Sequence, residues 1–378
     1  MILSDSELLA RLVAFDSTSS NSNADIAAFI AGYLDRPSVA IERIHDESGE
    51  KLNLLIHSGP PSSNRAGLVL SGHMDVVPAR ETGWDSDPFR LDERHGNFYG
   101  RGTADMKGFL ALAINAVAKI DPAALRNPLV LLLTYDEEVG CLGAKRFVDE
   151  WNEPSRIPVN TIIGEPTSLE AVRLHKGHLK LRVVTHGRAA HSGYPHLGLN
   201  AIEKAGEALR LLAALREQLQ SERPQHSQFF PEVPFVPLNV GTIHGGAAIN
   251  VVPDHCEIEV GLRLLPGMQS EEVVGRIESA LEGTADVELI SDSPPLLVSE
   301  DAEIHRTVSG MVGQHGTQSV SFATDGGWLQ KLGLECVLFG PGTIKVAHRP
   351  NEFLPRGEFE QASGLLDRLI HRYCVEAT

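Results

Sequence analysis

The sequence predicts an α/β protein with a mostly parallel central sheet, helices on both faces, and an inserted α+β domain of ferredoxin-like order. Three observations carry that expectation. Apolar runs at residues 66–70, 129–134, 161–164 and 336–339 are continuous rather than alternating, as strands buried on both faces are. Amphipathic stretches with helical spacing, at 106–120, 143–151 and 358–372, come after such runs, the pattern of a layered α/β architecture. In the middle of the chain the apolar residues change period.

The chain opens on a helix. Ser4 and Glu7 stand at capping-box spacing, and Leu8, Leu9, Leu12 and Val13 recur at helical intervals; a second helix fits 25–34. In the middle, Leu179, Leu181 and Val183 alternate with polar residues as in a half-buried strand, and a long amphipathic helix covers 199–219. A Ser/Pro/Gln-rich stretch at 221–237 reads as an irregular loop. Strands come next at 236–243 and 256–264, the second with Cys256, Ile258, Val260, Leu262 and Leu264 on one face; then come a helix at 270–281 and a strand at 287–290. Strand, helix, strand, strand, helix, strand is the split βαβ unit. Its two helices cover one face and leave a sheet edge free to pair with a second subunit. The expected division is 1–175 with 292–378 for the larger domain and 176–291 for the insert.

Composition removes several function classes. The 378 residues are 42% hydrophobic and 22% charged, enough to bury a large core. A net charge of −17 repels phosphate backbones and anionic lipid, so neither nucleic acid nor a membrane surface is an expected partner. No apolar stretch reaches the ~18 residues a membrane span needs. The first ten residues carry Asp5 and Glu7 and no basic cluster, so they do not read as a secretion signal. The four cysteines, Cys141, Cys256, Cys336 and Cys374, are far apart and form no CxxC pair. They suggest neither a thiolate metal site nor a disulfide scaffold, and a reducing cytoplasm is the simplest setting.

The residues directly after each apolar run carry the chemistry. The first run leads into Ser71-Gly72-His73-Met74-Asp75, the second into Asp136-Glu137-Glu138, the third into Glu165-Pro166-Thr167, and the last, through a Gly-Pro-Gly loop, into Ala347-His348. Between the first two, a glycine-rich turn from Gly100 to Gly108 presents Asp105. In an open parallel sheet these strand ends share one edge, where such folds bind ligands. Clustered carboxylates repel unless a cation neutralises them, so a polyvalent metal is the economical explanation. Imidazole with carboxylate and no thiolate suits zinc or a neighbouring divalent ion, whereas calcium prefers oxygen alone. Asp105 stands where one carboxylate could bridge two ions. Glu137 and Glu138 are adjacent and cannot share one direction on an extended backbone, so one can bind metal while the other acts as a base.

Taken together, Ser71–Pro78, Gly100–Gly108, Asp136–Gly140, Gly164–Thr167 and Ala347–Glu352 resemble the co-catalytic metallopeptidases of the aminoacylase, carboxypeptidase and succinyl-diaminopimelate desuccinylase group. The resemblance covers essentially the whole chain and implies the di-zinc exopeptidase-like catalytic domain of that group. Within it, the acetylornithine deacetylase branch is most similar. That rests on His175-Lys176-Gly177-His178, His244-Gly245-Gly246 with Asn250, Arg263–Met268, and Thr324-Asp325-Gly326-Gly327-Trp328 ahead of Gly340-Pro341-Gly342. The Gly-Gly-Thr-Ser-Asp-Gly-Arg stretch expected of the desuccinylase branch is missing near Thr324.

The resemblance implies two zinc ions per subunit, with cobalt or manganese as substitutes. His73, Asp105 and Glu165 would hold one ion, and Asp105, Glu138 and His348 the other. Asp75 would hydrogen-bond His73 and fix its tautomer. Glu137 would be the general base, taking a proton from a water that bridges the ions. His191, in the insert's first loop, would reach the partner subunit's site and stabilise the oxyanion. Arg263 and Asn250 would grip the substrate carboxylate, although Gly261 stands where many relatives carry an acid two residues before that arginine. The implied reaction is removal of the acetyl group from N2-acetyl-L-ornithine by a cytoplasmic homodimer paired through its insert, in arginine synthesis; the alternatives are a related N-acyl-amino-acid deacylase, a dipeptidase, a succinyl-diaminopimelate desuccinylase, or a catalytically silent binding protein of the same fold.

Overall fold

The computed structural model describes residues 2–61, 64–80 and 82–376. Residue 1 and residues 377–378, assigned above to the larger domain, lie outside the described residues. The chain forms two compact units, Met1–Arg173 with Val298–Gln318 and Trp328–Thr378, and Leu174–Leu297 with Ser319–Gly327.

The larger unit begins on the helix Asp5–Val13 with both halves of its capping box made. The Ser4 hydroxyl accepts from the Glu7 N–H at 3.2 Å, and the Glu7 carboxylate accepts from the Ser4 N–H at 2.8 Å. Its central sheet runs in the order Val39–His45, Leu52–Ser58, Leu129–Thr134, Leu68–His73, Asn160–Ile163, Glu335–Leu338, Val172–His175. The three pairings among the inner four strands, Leu129–Thr134 through Glu335–Leu338, are parallel; those outside are antiparallel. Both Leu68–His73 and Leu129–Thr134 are buried along their whole length, which is why their sequences carry no alternation. Helices Gly108–Lys119 and Arg356–Ile370 turn apolar stripes inward, burying Phe109, Leu110, Ile114 and Val117 from the first and Phe359, Leu365, Leu366 and Leu369 from the second.

The smaller unit is built around a four-stranded antiparallel sheet in the order Leu238–Gly245, His255–Leu262, His178–His186, Asp286–Ser293. Helices Ala201–Ser221 and Ser270–Leu281 complete the βαββαβ order. Its core is its own: Leu179, Leu181 and Val183 meet Cys256, Ile258 and Val260 from the sheet and Ala205, Leu212, Val273 and Ile277 from the helices. The segment Ser319–Gly327 also belongs to this unit; the Lys176 N–H donates to the Val320 carbonyl at 3.2 Å, and Thr324 Oγ1 lies 3.1 Å from His175 Nε2. That pairing consumes one of the histidines in His175–His178, and burial lowers the His175 imidazole to about 4, so it is a neutral structural partner.

Gly164, at the end of Asn160–Ile163 and directly before Glu165, allows a close approach that no other residue would. A Cβ there would lie 1.9 Å from the Phe109 ring. Gly164→Ala is therefore expected to destabilise by about 1–3 kcal/mol or more through overpacking. Gly206→Ala, in a helix position with nothing within 4 Å, should be neutral or stabilise by up to ~1 kcal/mol. Urea denaturation of the two variants measures the contrast.

Candidate metal centre

Five side chains meet at the C-terminal edge of the inner strands. His73 ends Leu68–His73, Glu138 comes after Leu129–Thr134, Glu165 comes after Asn160–Ile163, and His348 lies beyond Glu335–Leu338. Asp105 comes from the turn Thr103–Lys107, which precedes the helix Gly108–Lys119. The donor atoms of His73, Asp105 and Glu165 all lie within 4.8 Å of one another, and so do those of Asp105, Glu138 and His348. Asp105 belongs to both groups and divides its oxygens between them. Oδ1 is 3.1 Å from His73 Nε2, and Oδ2 is 3.3 Å from His348 Nε2. Glu138 Oε2 is 3.0 Å from the same His348 nitrogen.

Charge accounts for the state of each group. Asp105, Glu138 and Glu165 are three carboxylates almost out of water, and two imidazoles face them. Hydrogen bonds to Asp105 and Glu138 lift the half-exposed His348 imidazole to about 10. Burial acts to lower His73, but Asp105, Glu137 and Asp75 raise it well above its ordinary value. Burial acts to raise Asp105, but His348 and His73 hold it below the ordinary carboxylate range. Glu138, buried and repelled by Asp105, is pushed up to about 6. The rim thus draws positive charge to itself, and a divalent cation supplies that charge better than two protons do. Two nitrogens, three carboxylates and no thiolate form a donor set that fits zinc, cobalt or manganese.

Other residues hold these donors. His73 Nδ1 donates to the main-chain carbonyl of Asp75 at 2.9 Å, which selects the tautomer that presents Nε2. The Asp75 carboxylate lies 3.6 Å from that ring and has a further task. Its Oδ1 accepts from the Glu137 N–H at 3.1 Å, and its Oδ2 accepts from the Glu138 N–H at 3.3 Å and from the Ser19 hydroxyl at 2.7 Å. One buried carboxylate therefore holds the backbone of both glutamates. The Glu137 Oε1 accepts a weak bond from the Cys141 thiol at 3.7 Å. Asp136, Cys141 and His348 have left-handed backbones, φ 52°, 56° and 61°, a conformation that costs non-glycine residues energy and that tightly determined sites retain. Ser19 and Cys141 were missed by sequence reasoning. Ser19 lies far from any apolar run, although Cys141 stands four residues from Glu137.

His191, Asn250 and Arg263 lie in the smaller unit, whereas every metal-ligand candidate lies in the larger. Exposed His191 sits on the short pairing of Ala190–His191 with Val251–Val252, its Nδ1 accepting from the Gly193 N–H at 3.0 Å. Asn250 is exposed on the adjoining segment, and its carbonyl accepts from the Ser192 N–H at 3.0 Å. Arg263 comes directly after the strand His255–Leu262 and is half-buried. Burial first, and the Arg263 charge second, lowers Lys176 to about 8 and His178 to about 3.

The model of peptidase family M20/M25/M40 matches residues 69–372, which span all five candidate donors. The chain belongs to that family. It is similar to the acetylornithine deacetylases of Pectobacterium carotovorum (36% identical over 371 residues, covering 96% of this chain and 94% of the relative) and of Myxococcus xanthus (36% over 387 residues, 97% and 96%). Among solved structures, its fold is similar to an M20-family metallo-carboxypeptidase from Sulfolobus solfataricus, with TM-score 0.77, 16% identity, and 98% and 99% of the two chains covered. It is also similar to a dinuclear metal-binding M20 peptidase from Bacillus subtilis, with TM-score 0.64, 15% identity, and 97% of each chain covered. The family is metal-dependent, and this chain is a hydrolase acting on an amide bond. Among the described residues, no helix is long and apolar enough to cross a membrane.

In metal-free protein, the His348 proton stabilises the fold fully below the ordinary 6.5, and that stabilisation is lost as pH rises toward about 10. A divalent ion requires that nitrogen free of its proton. The rise in Tm on adding zinc should therefore grow steadily from about pH 6.5 to about pH 9. Differential scanning calorimetry with and without zinc checks this, and a gain independent of pH would contradict it.

Proposed function

We propose that this chain deacetylates N2-acetyl-L-ornithine to acetate and L-ornithine, in the cytoplasm and as a step of arginine synthesis. The observation that carries the reading is the division of Asp105 between two donor groups, with Glu137 held beside them. The curated deacetylases at 36% identity support the substrate. His73, Asp105 and Glu165 would hold one zinc, and Asp105, Glu138 and His348 the second, with cobalt or manganese able to replace either. Ions bound there supply Lewis-acid chemistry, acidifying water and polarising the acyl carbonyl.

The remaining work belongs to the chain. Glu137 takes the proton of the attacking water and returns it to the leaving amine, breaking the C–N bond. Asp75 holds the segment of Glu137 and Glu138 through their backbone N–H groups. Arg263 pairs with the α-carboxylate of the substrate, with Asn250 donating to it. Residues 176–291 act as lid and dimerisation domain. Around His191 and on the strand Leu238–Gly245 the smaller unit exposes Tyr194, Leu197, Leu199, Ile202, Ile243, Ile249 and Val251, with Ile249 wholly exposed. Two of them have neighbours on this arm: Leu199 pairs with Arg188 in an isolated bridge, and a Cβ at Gly246 would lie 3.2 Å from the Ile202 side chain. An apolar surface of this kind on an otherwise acidic protein supports pairing with a second copy. His191 on that arm would then meet the oxyanion in the partner's site.

The deciding experiment is hydrolysis of an N-acyl-amino-acid panel by zinc-loaded protein. Acetylornithine should lead acetylcitrulline, acetylmethionine, succinyl-diaminopimelate and a simple dipeptide by about tenfold or more in kcat/KM, a discrimination of ~1.4 kcal/mol. Another leader transfers the assignment to that substrate. Glu137→Gln should keep its metal and lose about 10²–10⁴-fold in kcat. If His191 acts across a dimer, mixing His191→Ala with Glu137→Gln protein should regenerate activity that neither has alone. Continued inactivity in verified heterodimers would refute the exchange.

A further inference from the structure

Glu352 and Arg101 take no part in the chemistry above, yet they form a buried ion pair in the larger unit's site region, each 1% exposed and 2.9 Å apart. Glu352 lies four residues past His348. Its carboxylate accepts four hydrogen bonds: Oε2 from the Gly102 N–H at 3.1 Å and Arg101 Nη1 at 2.9 Å, and Oε1 from the Ala104 N–H at 2.9 Å and the Asp105 N–H at 3.1 Å. Three of the four donors are main-chain groups of the turn that carries Asp105. That turn needs an outside hold. Asp105 and Met106 have non-helical dihedrals (φ −123°, ψ 91° and φ −136°, ψ 32°), so the helix starting at Gly108 does not dictate where Asp105 points.

Arg101 extends the hold. Its Nη2 donates to the Pro78 carbonyl at 3.1 Å and its Nη1 to the Arg349 carbonyl at 3.4 Å, while its guanidinium lies over the Trp84 ring. The pair thus ties together the segment after His73, the turn of Asp105 and the segment of His348. A buried ion pair is weak evidence for stability, because desolvation offsets the attraction. This one spends its hydrogen bonds on a single loop, and a shared carboxylate works only if both its oxygens are held to within about 0.5 Å.

We propose that the Arg101–Glu352 pair is the positioning element that lets Asp105 serve two ions at once. The inference rests on the reading of Asp105 as a bridging ligand. Glu352→Gln keeps the shape but turns an NH2 toward at least one donor, so the turn loses part of its hold. Arg36→Gln is the matched comparator. Arg36 donates to the carbonyls of Val117, Ala118 and Ile120 at the far end of the same helix, a structural task remote from the metal donors.

The test is zinc titration of metal-free protein by calorimetry, with the visible spectrum of the cobalt-loaded form and the Tm of the metal-free form measured alongside. Wild type should take up two ions per chain. Folded Glu352→Gln should bind about tenfold or more weakly and shift the cobalt spectrum, Glu352→Asp should recover part of both, and Arg36→Gln should lower Tm while leaving affinity and spectrum unchanged. Wild-type affinity and spectrum in folded Glu352→Gln overturn the proposal. Equal losses of affinity in Glu352→Gln and Arg36→Gln overturn it too, since the effect would then track stability alone. If Glu352→Gln does not fold, Arg101→Lys, which keeps the charge but loses the fork reaching Pro78 and Arg349, is judged by the same outcomes. A wild-type chain that takes up no pair of ions defeats the underlying metal reading, and the proposal falls with it.

Discussion

Electrostatic repulsion among Asp105, Glu138 and Glu165 is the constraint around which the larger unit is arranged. Three carboxylates withdrawn from water cannot stay ionised together unless positive charge sits between them. His73 and His348 provide it as protonated imidazoles, and the protons on those nitrogens can give way to divalent ions. Other features answer that requirement. The parallel strands deliver most of the groups to one edge, left-handed backbones at Asp136, Cys141 and His348 turn the chain sharply there, and Asp75 holds the backbone N–H groups of two glutamates.

The inner strands were legible in the sequence because burial on both faces leaves one kind of composition, and because His73, Glu138 and Glu165 come soon after such runs. The capping box of Ser4 and Glu7 was legible because it is local. What could not be read has a common cause, distance along the chain. Strands Val39–His45 and Leu52–Ser58 flank the parallel core in antiparallel fashion, and the half-exposed alternation of the first has no deep-burial signature. Residues 319–327 join the smaller unit through a bond between Thr324 and His175, which neither local pattern announces. His73 meets Asp75 through a backbone carbonyl while the carboxylate turns to Glu137 and Glu138, a choice made by three-dimensional placement.

The smaller unit shows a different balance. Its sheet and two helices close a complete core around Leu181, Ile258 and Ile277, so its fold needs nothing from the chemistry of the larger unit. Its outer arm nevertheless leaves Ile249 and Tyr194 in water, against the general economy of a chain carrying net charge −17. Leu289 and Ile290, on the strand Asp286–Ser293, are exposed as well, so the apolar exposure of this unit extends beyond that arm.

The order in which the five donors occur along the chain bears on biogenesis. His73, Asp105 and Glu165 are all in hand once the first half of the polypeptide has been made, whereas the group completed by His348 must wait for the last stretch, after the whole smaller unit has been synthesised. During translation the nascent chain therefore carries one complete donor triad beside two carboxylates still lacking their imidazole. If each group takes an ion, the second cannot be held before His348 has been made.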